Sequence, residues 1–214
     1  MNSDDASWPK ARQGMFQIVS ATVAFALWHS LLCSLPAKQR LTPLLQKRGV
    51  TYRLFFMVQS AVTFGALLGL IFTRPTRTIY RFTGALKLLF LGLQALCAIV
   101  CAWSVLSLSP KRFFFGRGEV EPEAQGPELT GEGKIEVSGP FRWSRHALEW
   151  FPILTLFFTP HLKTNWLAFN LLGAIYSVVG AIHEEKRLDE RGGAAYARYK
   201  KQVGFWFGRS NESE

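Results

Sequence analysis

"LKLLFLGLQALCAIVCAWSVLSL", residues 86–108, carries one charge in 23 residues, Lys87 near its start. A helix of that length covers about 35 Å, enough to cross the roughly 30 Å hydrocarbon core of a bilayer. Gln94 is its main polar interruption. A helix apolar on every face does not belong on the surface of a soluble domain. Two similar blocks precede it, Met15–Leu35 and Tyr52–Phe72, the second interrupted by Gln59. The chain is 214 residues long and 49% hydrophobic, and its apolar residues fall into such blocks rather than into short amphipathic runs. The reading is an all-α, polytopic membrane protein, with lipid as the solvent of its outer faces.

The first block is expected to remain as a permanent span. "MNSDDASW" is acidic and polar, and no small-residue cleavage site follows a short apolar core. Cys33, Cys97 and Cys101 all lie in apolar blocks and read as small buried residues, not as a zinc or disulfide pattern.

Two more apolar blocks follow. Trp166–Ile182 is long enough to span, whereas Leu148–Pro160 is short. The short one crosses if its helix also takes in "FRWSRHA", 141–147; otherwise it is a re-entrant loop. Charge separates the two cases. Five crossings put 18 Lys and Arg on one side (segments 36–53, 109–147 and the tail) against 6 on the other. A re-entrant fourth block splits them 12 against 12. The positive-inside rule therefore selects about five transmembrane helices, N-terminus outside and C-terminus cytosolic.

This gives three segments: a three-span part over 1–108, a cytosolic loop over 109–140, and a two-span part with a cytosolic tail over 141–214. The loop is rich in Gly, Glu and Pro and reads as irregular, a lid or cap. The last helix is expected to run past the membrane to Arg191, with Gly192-Gly193 as its stop. Phe205-Trp206-Phe207 reads as an interfacial anchor.

The polar residues at the cytosolic rim carry the chemical interest. "HEEKR", 183–187, puts two adjacent carboxylates where the last apolar block ends. Neighbouring helical residues point about 100° apart, so one can pair with Arg187 while the other turns inward. "GPFRWSRHALEW", 139–150, brings Arg145, His146 and Glu149 to the start of the fourth block, beside the end of the fifth. Glu149 sits four residues after Arg145 and is expected to hold it. Without a pocket, these same groups are a solvated helix end with local ion pairs. Ionisable groups this close to hydrocarbon favour function. His29 and Gln59, in the first two blocks, are candidate lining for a substrate cavity or interhelical hydrogen bonds.

Other chemistries are not indicated. "HEEKR" is not HExxH, and four scattered histidines give no metal spacing, so no metal site is expected. No phosphate-binding glycine loop and no Ser/His/Asp set is visible. The net charge of +10 follows the topology rather than a nucleic-acid-binding stripe.

"SGPFRWSRH", a short apolar block, then "HEEKRL" and "GGAAYARYKKQV" together resemble the C-terminal half of a membrane methyltransferase superfamily. Its members include isoprenylcysteine carboxyl methyltransferase, phospholipid methyltransferases and bacterial methanethiol S-methyltransferase, with a branch linked to denitrification. "WHSLLCS" at 28–34 and "YR" at 52–53 are similar to the N-terminal part of the methanethiol and denitrification branches. The resemblance implies S-adenosylmethionine at the cytosolic rim of a bacterial inner membrane. It further implies a lipophilic or small thiol or carboxylate acceptor arriving from the bilayer. Carried over residue by residue, Gly139, Arg145, His146, Glu184, Glu185 and Tyr199 would bind the cofactor; Glu149 and His183, beside them in the chain, are expected to join that set, and His29 and Gln59 to line the acceptor's cavity. The chain differs from the family pattern at Ala147 and Gly204, where proline is usual, at Glu149, where Tyr is usual, and at Gly192, which replaces Phe. The competing expectation is a non-catalytic accessory protein, linked to nitrogen-oxide respiration or to another membrane complex.

Overall fold

The computed structural model describes residues 6–107, 128–129 and 135–208. In chain order its helices are α1 (Trp8–Cys33), α2 (Leu35–Gln46), α3 (Tyr52–Thr73), α4 (Gly84–Ser107), α5 (Ala147–Phe157) and α6 (Thr164–Gln202). Its strands are β1 (Thr78–Arg81), β2 (Glu128–Leu129), β3 (Ile135–Glu136) and β4 (His161–Lys163). Four helical stretches are long and apolar enough to cross a membrane: α1, α3, α4 and Thr164–Glu190 of α6. Large apolar side chains stand exposed along them, Phe72 at 71% and Ile99 at 64%, as a lipid solvent demands. The protein is an all-α membrane protein. Most of the 109–140 loop, and with it the lid expected there, lies outside the described residues.

The chain forms two compact units, interleaved in sequence. The first holds α1–α3, β1, the start of α4, β4 and α6 up to Gly173. Its helix starts follow local rules. Ser34 and Thr51 cap α2 and α3 by accepting from Ala37 N and Leu54 N, at 3.4 and 3.2 Å. Pro9 sits in the first turn of α1, where its missing N–H costs nothing. At one end of this unit β1 pairs with β4 antiparallel, Arg81 opposite His161. There Ala6 N donates to Thr76 O at 3.0 Å, and the buried Asn165 amide donates to Ile71 O and Arg74 O at the end of α3. The N-terminal segment, the α3–α4 connection and the α5–α6 connection therefore meet. The reading with five crossings places these same three segments on one side.

The second unit holds α4 from Leu91, the 135–158 stretch, and α6 from Ala174 into the tail. Here the structure departs from the expectation for the fourth block. Residues 141–147 do not extend its helix. Gly139–Arg142 form a 3₁₀ turn, and α5 begins only at Ala147. Eleven residues make roughly 16 Å of helix, well short of a bilayer core. The reason is tertiary. The N–H of Arg145 donates to Gly204 O, and Trp143 O accepts from Gly208 N, so the tail holds this backbone in a non-helical path. The stretch still runs antiparallel to α4. Ser138 Oγ bonds Ser107 O, Trp143 packs edge-on to Trp103, and Gln94 Nε2 donates to Thr155 O.

The expected stop at Gly192-Gly193 is present. Gly193 has φ +46° and ψ −129°, a conformation that side-chain-bearing residues rarely adopt. The helix after it folds back, and Tyr196, Tyr199 and Val203 form a buried cluster with Leu188.

Candidate functional site

The reversal at Gly193 assembles the site in the second unit. It carries Tyr196 and the 199–204 segment back onto Glu185, one turn before Leu188, and α5 supplies the opposite wall. Glu185 is the meeting point. Its Oε1 accepts from Arg145 Nε at 2.7 Å, His146 Nε2 at 3.2 Å and the Tyr196 hydroxyl at 3.4 Å. Its other oxygen takes no hydrogen bond from the described residues, and the side chain is 19% exposed.

Arg145 is buried, and its guanidinium is used in full view of the tail. Nη1 donates to Lys200 O at 3.1 Å and Val203 O at 2.8 Å, closing the last helical turn before Gly204. A planar cation with several fixed donors suits three acceptors in three directions better than an ammonium does. Tyr199 donates to Phe141 O at 2.7 Å, tying the same helix to the 3₁₀ turn. Burial, reinforced by the charge of Glu185, pushes the Tyr196 phenol well above its usual range, and burial also raises Tyr199. Both stay neutral donors at physiological pH.

Glu149 does not hold Arg145 as the sequence suggests. Arg145 precedes the first residue of α5, so helical i,i+4 geometry does not apply to the pair. Glu149 faces Glu184 instead, a contact between two carboxyls that needs a proton or a cation to hold it, and its Oε2 lies 3.8 Å from His146 Nδ1. Both carboxylates of the adjacent pair thus engage the start of α5 and the residues just before it, Glu185 through Arg145 and His146, Glu184 through Glu149. His146, Glu149 and Glu184 present ligand atoms within 4.8 Å of one another. Sequence spacing gives no metal pattern because His146 and Glu149 lie at the start of α5 and Glu184 lies on α6, 35 residues beyond Glu149.

Of the other expected residues, His183 is exposed and its Nδ1 meets Val179 O at 2.8 Å along its own helix. Gly139 lies against Ser107 and Trp103 of α4. His29 and Gln59 belong to the first unit, where they join α1 to α3. Trp28 Nε1 donates to Gln59 Oε1 at 2.9 Å, Gln59 Nε2 to Ser60 Oγ at 2.7 Å, and Ser60 Oγ sits 3.3 Å from His29 Nδ1.

Sequence reasoning missed the aromatic wall. Phe205 lies 4.5 Å from the His146 ring, Trp206 stacks on Trp150 at 3.6 Å, and Phe207 meets Phe151 edge-on. Trp150 and Phe151, read only as part of an apolar block, pair with the three consecutive aromatics of the tail. Trp206 and Phe207 remain about half exposed, compatible with the interfacial position expected for them. No protein-family model, no curated protein and no solved structure matches this chain.

Proposed function

We propose that the protein is an S-adenosylmethionine-dependent methyltransferase of the membrane, working at the cytosolic face on a lipophilic or small thiol or carboxylate acceptor. The observation that carries this reading is the convergence on Glu185. Arg145-His146, Glu184-Glu185 and Tyr196-Tyr199 are the three separated motif segments of the methyltransferase resemblance, and they meet in one hydrogen-bonded cluster. The fit to the cofactor is chemical. S-adenosylmethionine offers ribose hydroxyls and an ammonium as donors, and Glu185 keeps one carboxylate oxygen without a partner among the described residues on a partly exposed side chain. Glu185 would hold it, with Arg145 and Tyr199 fixing the tail around it. Bound there, the cofactor supplies an electrophilic methyl group. The chain then has to align the acceptor and exclude water, and needs no covalent nucleophile of its own.

Titration of the purified protein with S-adenosylmethionine in nanodiscs tests the reading. Wild type is expected to bind. Glu185→Gln, which keeps shape and removes charge, is expected to weaken binding about 10- to 150-fold, the equivalent of roughly 1.5–3 kcal/mol for a charge-assisted hydrogen bond. Absence of binding by folded wild type sinks the proposal. One observation favours the accessory reading: the bonded donors of Arg145 and Tyr199 all serve protein acceptors. A non-catalytic partner in nitrogen-oxide respiration or another membrane complex is what that null titration would support.

The reading also needs an orientation, with the N-terminus outside a bacterial inner membrane and the C-terminus in the cytosol. The 18-to-6 distribution of Lys and Arg supports it. Reporter fusions after Pro75 and at Glu214 are expected to report opposite sides, with Glu214 cytosolic. An external Glu214 fusion overturns the orientation and the cytosolic site with it.

A further inference from the structure

We propose that His146, Glu149 and Glu184 form a binding site for a divalent transition-metal ion of the zinc class. The site lies beside the open oxygen of Glu185 and does not depend on the methyltransferase reading.

Three features of the cluster point to an ion. The first is the donor set. One imidazole nitrogen and two carboxylate oxygens converge within 4.8 Å, and His146 and Glu184 are 1% and 6% exposed. Three protein ligands with a position left over is the arrangement of zinc sites that also bind a small molecule, and the imidazole disfavours magnesium and calcium, which take oxygen.

The second is the orientation of His146. Its Nε2 faces Glu185 at 3.2 Å, and a carboxylate only accepts, so the ring proton belongs on Nε2. That leaves the Nδ1 lone pair facing Glu149 Oε2 at 3.8 Å. Two acceptors aimed at each other repel unless a proton or a cation lies between them. The separation is close to the roughly 3.4 Å between two ligands of a tetrahedral ion with bonds of about 2.1 Å.

The third lies outside the ligand set. Metal-binding histidines almost always donate their second ring N–H to a carboxylate or carbonyl, which fixes tautomer and ring angle. Glu185 stands in that position, and it is itself held by Arg145 and Tyr196. A histidine buried only for packing does not require a carboxylate anchored by two further residues.

The alternative is a cluster closed by protons alone, shared among the two carboxyls and the imidazole, with no ion. The full chain, purified in detergent and stripped with chelator, distinguishes the two. Zn²⁺ uptake is read by elemental analysis and Co²⁺ uptake by its visible absorption, neither of which requires turnover. About one ion per chain is expected, with imidazole and carboxylate ligation in the cobalt spectrum. Glu149→Gln and Glu184→Gln are each expected to lower affinity roughly tenfold or more, and Glu185→Gln, acting through His146, by about 10- to 100-fold. Asp189→Asn changes an exposed carboxylate paired with Lys200 and is expected to bind as wild type. Circular dichroism of each variant establishes that it is folded; if Glu149→Gln misfolds, Glu149→Asp, which shortens the ligand, carries the same expectation. Folded wild type taking up neither ion at micromolar concentration overturns the site, as does a folded Glu149→Gln chain binding like wild type. A chain that binds the ion but not S-adenosylmethionine refutes the enzyme reading and leaves the metal site standing.

Discussion

Arg145→Met is expected to destabilise the second unit by about 3–5 kcal/mol, the usual cost of removing one partner from a buried ion pair. Methionine keeps the bulk but leaves Glu185 without its cation, and Lys200 O and Val203 O without their donor. The side chain is 7% exposed and its partner 19%, so water replaces these bonds only in part. Thermal unfolding in detergent reads the loss. Limited proteolysis reads its location, because the segment after Lys201 should become cleavable before the apolar helices do. Arg145→Lys is expected to recover only part of the loss, since one ammonium cannot reach three acceptors set in different directions. A Met variant as heat- and protease-resistant as wild type would show that the tail is held by its aromatic contacts instead.

Gly139→Ala is expected to cost about 2–4 kcal/mol, combining left-handed backbone strain with overpacking. Its φ is +54°, and an added Cβ would overlap the Ser107 hydroxyl and approach Trp103 Nε1 to 3.2 Å. The two contributions can be separated. Ser107→Gly in the same chain removes the overlap but not the φ, so the double variant should recover part of the loss and no more. Full recovery would mean that the backbone angle relaxes without penalty. A Gly139→Ala chain as stable as wild type would mean that the 3₁₀ turn shifts freely off α4. Gly139 is also a candidate cofactor contact in the sequence, and in the structure it lies against α4.

These two positions mark the boundary of what local sequence can show. The membrane spans were legible because lipid imposes one requirement on every exposed face of a helix, and α1, α3 and α4 meet it over a long apolar stretch of each. The shared end of the N-terminal, α3–α4 and α5–α6 segments was legible from the alternation of crossings, with charge deciding how the short fourth block is counted. Gly193 was legible because few other residues tolerate its backbone angles. The start of α5 was not. "FRWSRHA" contains nothing that forbids a helix, and its path is decided by carbonyls of Trp143 and Gly204 bonding across some 60 residues of chain. The error over Glu149 follows from the same cause. An i,i+4 rule assumes that both residues are in one helix, and Arg145 is not. The membership of the site was therefore readable as a list of residues, while the pairing within it was fixed by the reversal at Gly193, which no short window contains.

The tail contacts also have a consequence for biosynthesis. Arg145 leaves the ribosome about 60 residues before Val203 and Gly204, which is on the order of 3–12 s at bacterial elongation rates. During that interval a guanidinium destined for burial, and a helix too short to cross a bilayer by itself, have α4 beside them but none of the tail partners that later fix them. Insertion of α5 is then coupled to synthesis of the segment that closes over it. A ribosome-stalled chain ending near residue 190 should leave α5 accessible to a water-soluble label, and one ending beyond the tail should not.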